Sequence, residues 1–441
     1  MTIPSKFFRK LAPLLFFITA ALPLARAQES YERYASILNH PPRRSAAEEA
    51  LTHFLVTPFE LVRWPVDKSL ILIEKYHVPK KLQWIYDTIT DYGVTPHLDV
   101  ISLGNTGGGV DLDFIRIFRK KERYPDVLAK SWLNWTHDVI FEVGSEVGLE
   151  RIHDTGFNAR GLFKYEKRPE EHFNGIGPHT SAGDGTSYKI EATTLKATLG
   201  YSWSPLMNAD ASFGYRNINI TNGEDGGRGQ IDRTFFPRVI PGLAGDELLD
   251  YAIQFNHDTR NHKEDSTQGG QERLGFSFHD GLGNSRAQYF KYEAELSRFF
   301  PLGSERRVLA LHLYGEHNNE TRHHDVPFHQ MAKLGGTGAY PRLSEPLRSY
   351  DFNRFFDESL LLGNLEYRYT IWEYRDFKTD AVFFLDEGQV FKDIGSFQFK
   401  DFRESYGFGF RTSLANVMFF SIEMAHGDEG TRIYAQTRTP F

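Results

Sequence analysis

From about Pro96 to the C-terminus, apolar and polar side chains alternate with a period of two, the spacing that sends successive residues to opposite faces of a β-strand. Within 359–371 the odd positions Leu361, Leu365, Tyr367, Tyr369 and Ile371 are apolar, while Asn364, Glu366, Arg368 and Thr370 take the other face. In 377–386, Phe377, Ala381, Phe383 and Leu385 oppose Lys378, Asp380 and Asp386, which share their face with Val382 and Phe384. Tyr406, Phe408, Phe410 and Leu414 then alternate with Gly407, Gly409, Arg411 and Ser413, and Met418, Phe420, Ile422 and Met424 follow. Earlier, Val139, Phe141, Val143, Val147 and Leu149 oppose Glu142, Gly144, Glu146 and Glu150, and Phe290, Tyr292, Ala294 and Leu296 oppose Lys291, Glu293, Glu295 and Ser297. A charged face backed by an aliphatic and aromatic face, segment after segment, is the pattern of an all-β transmembrane barrel with lipid outside and water inside. About fifteen such segments are visible, and the even strand number of bacterial barrels makes sixteen antiparallel strands the expected count.

Outside this pattern the chain divides simply. Residues 1–27 read as a secretory signal, with Lys6, Arg9 and Lys10 ahead of an apolar stretch from Leu11 to Leu24 and Ala25-Arg26-Ala27 before Gln28. Residues 28–94 form a short periplasmic lead without strand alternation. Leu82, Ile85, Tyr86 and Ile89 recur there at helical spacing, Gly93 stops that helix, and Pro58, Pro65 and Pro79 break the lead into pieces. Residues 95–441 are the expected outer-membrane barrel. Its connections are of two kinds. Tight turns such as 204–208 and 300–304 suit the periplasmic side, and the long stretches 221–247 and 316–359, rich in Gly, His, Asp and Pro, suit the extracellular side.

Composition removes several function classes. The chain has no cysteine, which excludes disulfides and thiolate metal sites, and its net charge of −7 offers no case for nucleic-acid binding. No cofactor is expected. His323, His324, Asp325 and His329 have the donor types of a divalent-metal site, but adjacent loop histidines read as solvated and no metal is expected.

The longest loop carries Leu347-Arg348-Ser349-Tyr350. Two later segments are Leu365-Glu366-Tyr367-Arg368 and Phe384-Leu385-Asp386-Glu387-Gly388. By period two, Glu366 and Asp386 point into the lumen from neighbouring strands, and two carboxylates held close in a confined space call for a cation. Arg348 suits that role, because a guanidinium can serve both acids and pin its loop to the wall.

These segments resemble the signature of the outer-membrane assembly superfamily that includes BamA, TamA and FhaC. Its sixth extracellular loop has an aliphatic-Arg-Gly-aromatic motif, here with Ser349 in place of the Gly. The strand after that loop carries an inward acid, matched by Glu366, and the next has the form Phe-x-Asp-x-Gly, matched by Phe384, Asp386 and Gly388. Gly407-Phe408-Gly409-Phe410-Arg411 resembles the glycine-rich strand that follows, and Asp258-Thr259-Arg260-Asn261 resembles an Asp-Thr-Arg-Asp turn of the same barrels. The lead is too short for a periplasmic POTRA module, so the chain is similar to a short, POTRA-less member.

The resemblance implies a barrel that inserts or translocates proteins or lipids through a weak seam between its first and last strands. The partners it implies are outer-membrane lipid and lipopolysaccharide, the barrel-assembly machinery during biogenesis, and a client protein. Ile433, Ala435, Thr437, Thr439 and Phe441 would share one face of the last strand, Pro440 removes a ladder donor there, and Phe441 would serve as the C-terminal assembly signal. A passive pore is the second reading, with Glu142, Glu146, Lys196, Lys291, Glu293, Arg368 and Arg411 setting its selectivity. A third is a lipid hydrolase built on Ser277-Phe278-His279-Asp280 or on the pairs His137-Asp138 and His257-Asp258. None of these has a specific nucleophile setting, and the expectation is a protein that is not an enzyme.

Overall fold

The alternation becomes one continuous antiparallel meander. The computed structural model describes residues 89–102, 105–118, 126–136, 140–152, 155–236, 239–322, 324–337, 344–374, 377–414, 416–437 and 439–441. The signal reading and nearly all of the lead lie outside these residues, and so does His323. Of nineteen strands among the described residues, Gly229–Gln230 and the hairpin Ala332–Leu334 with Phe355–Asp357 are short, and the remaining sixteen build the wall. These are β1 (Val94–Ser102), β2 (Asn105–Asp113), β3 (Val127–Thr136), β4 (Phe141–Leu149), β5 (Phe157–Phe173), β6 (Thr186–Ser204), β7 (Met207–Asn222) and β8 (Gly245–Asp258). They continue as β9 (Gly269–Gly281), β10 (Gln288–Pro301), β11 (Arg307–Glu320), β12 (Ser359–Tyr374), β13 (Phe377–Phe391), β14 (Arg403–Leu414), β15 (Val417–Gly427) and β16 (Gly430–Gln436).

Each strand pairs with the next from β1 through β16. The sheet is not closed. Between β1 and β16 no ladder pair forms among the described residues, although the two strands come within 8 Å, Cα to Cα. No helix among the described residues is long and apolar enough to cross a membrane.

The two faces separate as the sequence pattern requires. Leu361, Leu365, Phe383, Leu385, Tyr406, Phe408, Ile422 and Met424 are exposed on the outer face, while Glu366, Arg368, Asp386, Arg411 and Glu423 are buried inside. Expected outward residues that depart include Ile371, Ala381 and Met418, all buried. A register irregularity between Thr370 and Trp372 shifts the pleat, and Ile371 is buried. At the start of the barrel Gly93 adopts φ +85° and its N–H donates to the Thr90 carbonyl at 2.8 Å, closing a short helical turn before β1.

The lumen is filled from both ends. At the long-loop end, Phe328 and Phe356 from the loop 321–358 join Phe173, Tyr188 and Leu248 of the wall in one apolar cluster, with Phe173 and Phe356 edge to face at 5.1 Å. Deeper, loop residues Leu334, Leu347, Tyr350 and Phe355 pack on Leu360, Leu362 and Val390. Burying each such side chain contributes about 1.5–3 kcal/mol, which offsets the ordering of a long loop. At the short-turn end, the turn 259–268 also folds inward. Asn261 organises it by accepting from Ser266 Oγ and the Thr267 amide, each at 3.0 Å, and Asp265 reaches Lys378 on β13 at 2.6 Å.

The last strand is shorter than the sequence pattern suggests. β16 ends at Gln436, and Phe441 does not continue the outward face of Ile433 but packs inside against Phe299, Val308 and Ala310. Pro440 has no amide to offer a ladder, and an apolar seat inside the lumen gives the terminal ring a better place than the strand end.

Candidate functional site: an arginine-centred loop lock in the lumen

The loop 321–358 turns at Leu347-Arg348-Ser349-Tyr350, and all four residues are buried. Arg348 donates from Nε and Nη2 to the two oxygens of Asp386 at 2.8 and 2.6 Å. Its Nη1 donates to Glu366 at 2.7 Å and to Glu423 at 3.1 Å. Below it lies the Phe384 ring, 3.5 Å from the guanidinium carbon to the ring centroid. The fork that Asp386 occupies is the bidentate geometry only a guanidinium provides.

Two further arginines complete the cluster. Arg411 donates to Glu366 at 3.3 Å and to Glu423 at 2.9 Å, and Arg368 Nε donates to Glu366 at 2.9 Å. Three cations face three acids, so the buried set is neutral, the condition under which such charges tolerate removal from water.

The strand motifs gain a physical meaning from this arrangement. On β13, Phe384 floors the guanidinium, Asp386 grips it, and Gly388 leaves room for Leu334 of the loop, whose methyls would stand 3.0 and 3.1 Å from a Cβ there. On β14, inward-facing Gly407 and Gly409 flatten the wall so that the Phe384 ring and the Glu423 stem can pass. Ser349 donates its amide to Ser405 Oγ at 3.0 Å. The position next to it on the wall is Gly427, where a Cβ would collide with Ser349 Oγ.

The loop also grips the last hairpin. Arg432 Nε donates to the Ser349 carbonyl at 3.0 Å and Tyr434 to the Tyr350 carbonyl at 3.1 Å. Arg432 pairs with Asp351 at 2.7 Å and Arg354 with Glu429 at 2.8 Å. On the opposite wall, Asn353 donates to Glu171 of β5 at 2.6 Å.

The structure therefore brings Arg348, Glu366 and Asp386 together and adds Glu423, which the sequence reading did not single out. The signal was present: Glu423 lies between Ile422 and Met424, both outward, so period two sends it inward. Arg368 and Arg411, read as free lumen charges of a pore, are instead partners of Glu366. Phe441 lies on the inner wall of β10 and β11.

The other candidate residues have different settings. Ser277 Oγ is 2.8 Å from His279 Nε2, and His279 Nδ1 is 2.6 Å from Asp250, the order of a serine relay. Yet both Asp250 oxygens also accept from Arg216, which ties on to Gln330 of the loop at 2.7 Å, and Ser277 lines neither described cavity. His257 pairs with Glu272 at 2.8 Å. His329, expected to be solvated, is buried against Asp246 at 2.9 Å because the loop folds inward, while His324 faces the Arg286 carbonyl at 3.3 Å. Of the lumen charges, Lys291 pairs with Glu316 at 3.0 Å and Glu293 at 3.3 Å around a chamber of 360 Å³ under the loop.

A sixteen-strand meander, apolar outside, with a loop locked into a charged lumen, defines an outer-membrane β-barrel. The chain belongs to the Omp85 superfamily, whose domain model matches residues 150–426. Among solved structures, BamA from Haemophilus ducreyi lacking POTRA domains 1-3 has the same fold, with a TM-score of 0.56 at 15% identity over 78% of this chain and 69% of that one. CdiB from Escherichia coli gives a TM-score of 0.48 at 13% identity, covering 78% of this chain and 62% of CdiB. CdiB from Acinetobacter baumannii gives 0.46 at 11% identity, covering 78% and 58%. No curated protein sequence matches the chain.

Proposed function

We propose that this barrel inserts or translocates proteins or lipids at the outer membrane by parting its wall between β1 and β16. The observation that carries this reading is the ladder, continuous from β1 to β16 and, among the described residues, absent between its two ends. An unpaired strand edge at a membrane is a template for another strand, and an incoming chain satisfies its own backbone groups by adding to it. The lock supports the reading, since it braces the last hairpin from inside while the seam beside it stays unpaired. The long loops then face the outside and the short turns the periplasm, with lipid and lipopolysaccharide against the apolar outer face and the assembly machinery acting on the chain during its own biogenesis.

The test uses the absence of native cysteine. Single cysteines in β1 and in β16 should form a disulfide across the seam in the purified barrel. In proteoliposomes, the uncross-linked protein should accelerate folding of a urea-denatured barrel client, the disulfide should remove that acceleration, and reductant should restore it. No acceleration by the parent, or acceleration indifferent to the cross-link, would sink the insertion reading. A passive pore would instead give large, steady conductance steps in planar bilayers, against which the filled lumen and paired charges argue.

A further inference from the structure

The last strand ends at Gln436, and Phe441 is found on the inner wall of β10 and β11. Phe441 lies parallel to the His312 imidazole, with centroids 4.9 Å apart and 7° between planes. Phe299, Val308 and Ala310 surround it, and the Arg368 guanidinium carbon is 5.8 Å from its centroid. A frayed terminus would have none of this. Offset or parallel stacking on a fixed ring, an apolar wall and a cation over the face together make a specific aromatic pocket.

The seat is built from residues that also hold the loop. His312 Nδ1 pairs with Asn364 Oδ1 at 2.8 Å, and Asn364 Nδ2 donates to Asp386 Oδ1 at 2.8 Å, the same oxygen that Arg348 Nη2 binds. Arg368 donates to Glu366, the second acid of Arg348. His312 is thus linked to the lock through Asn364, and Arg368 directly through Glu366.

We propose that this pocket is a seat for the aromatic ring of Phe441, which draws the end of β16 inward and keeps the β1 edge unpaired. Asn364 and Glu366 connect His312 and Arg368 to the acids that Arg348 binds, so release of the extracellular loop loosens the seat and frees the tail. The proposal rests on the seam reading only for its consequence, because occupation of the seat is measurable without any client.

A cysteine at Thr439 reports on the tail, and one at Ser304, in an exposed turn, serves as the accessible reference. In the refolded barrel, Cys at 439 should react with a small maleimide more slowly than Cys at 304. His312→Ala should speed the reaction roughly two- to tenfold, the range one aromatic contact spans. Ala310→Trp, which fills the pocket and leaves the terminus intact, should do the same, and Arg348→Ala should do so from outside the pocket. Heat-modifiable migration checks that each variant is folded. Equal rates at 439 and 304 in the parent, or a tail rate unmoved by both His312→Ala and Ala310→Trp, would overturn the seat. A protected tail in a barrel that inserts no client would leave the seat standing and remove only the insertion reading.

Discussion

The guanidinium of Arg348 stacks on the Phe384 ring at 3.5 Å, while Asp386, two residues along the same strand, holds its edge. Face and edge of one cation are thus read by a single strand, which is why an aromatic and an acid occur at i and i+2. Phe384→Leu keeps an apolar floor and removes the ring. It should lower the stability of the inserted loop by about 0.5–2 kcal/mol, the cation–π range, and leave the barrel heat-modifiable. A proteolysis rate at the loop equal to that of the parent would show that the ring is only filler.

Ser349 and Gly427 form a second matched pair. A methyl at Gly427 would meet Ser349 Oγ and also the Glu404 carbonyl oxygen, 2.6 Å from the added Cβ. Gly427→Ala should therefore displace the loop tip at a cost of about 1–3 kcal/mol. Adding Ser349→Gly should recover part of that loss by removing one of the two obstacles. Identical loop protection in Gly427→Ala and the parent, measured by hydrogen exchange over 347–350, would sink the argument.

The barrel and the centre of its lock were legible because both follow from period two. Once the strands are recognised, Glu366 and Asp386 must face inward, and a loop arginine is the cation in reach. Glu423 follows the same rule but sits in a strand whose outward residues, Phe420, Ile422 and Met424, dominate the pattern. The course of the tail was not legible. Thr437, Thr439 and Phe441 alternate like a strand, and only the pocket formed by Phe299, Ala310 and His312, from two distant segments, shows where the ring goes. The inward fold of 259–268 is hidden for the same reason, since Lys378, its partner, lies far along the chain.

The base of the loop should respond to pH. Burial and the nearby Glu320 charge raise the Glu358 carboxyl from 4.5 to about 7, and burial raises Asp357 from 3.8 to about 6. An acid that binds its proton more tightly when folded favours the folded state at low pH, and that contribution is lost as pH rises from about 4 through 7. Hydrogen-exchange protection of 355–360, corrected for intrinsic rates, should therefore be higher at pH 5 than at pH 8. Glu358→Gln, which mimics the protonated form, should flatten most of the difference. Equal protection at both pH values in the parent would refute the assignment.

The lock itself makes the sharpest prediction. Among the described contacts, Arg348 is the guanidinium that Asp386 binds, whereas Glu366 also has Arg368 and Arg411. Arg348→Ala leaves Asp386 buried with Asn364 as its polar side-chain neighbour, and losing one partner of such a pair costs about 3–5 kcal/mol where water is excluded. The loop should become accessible to external protease, and bilayer conductance should rise as the lumen empties. Arg348→Lys should rescue only in part, because a point ammonium cannot fill the Asp386 fork and reach Glu366 together. Asp386→Ala should resemble Arg348→Ala, and the double variant should be little worse than either single one. Glu366→Ala should differ in kind, since it takes the acid partner from Arg368, leaves Arg411 with Glu423, and should loosen the Phe441 seat through Arg368. Additive losses for Arg348→Ala and Asp386→Ala, or unchanged protease resistance in both, would mean that the pair does not hold the loop.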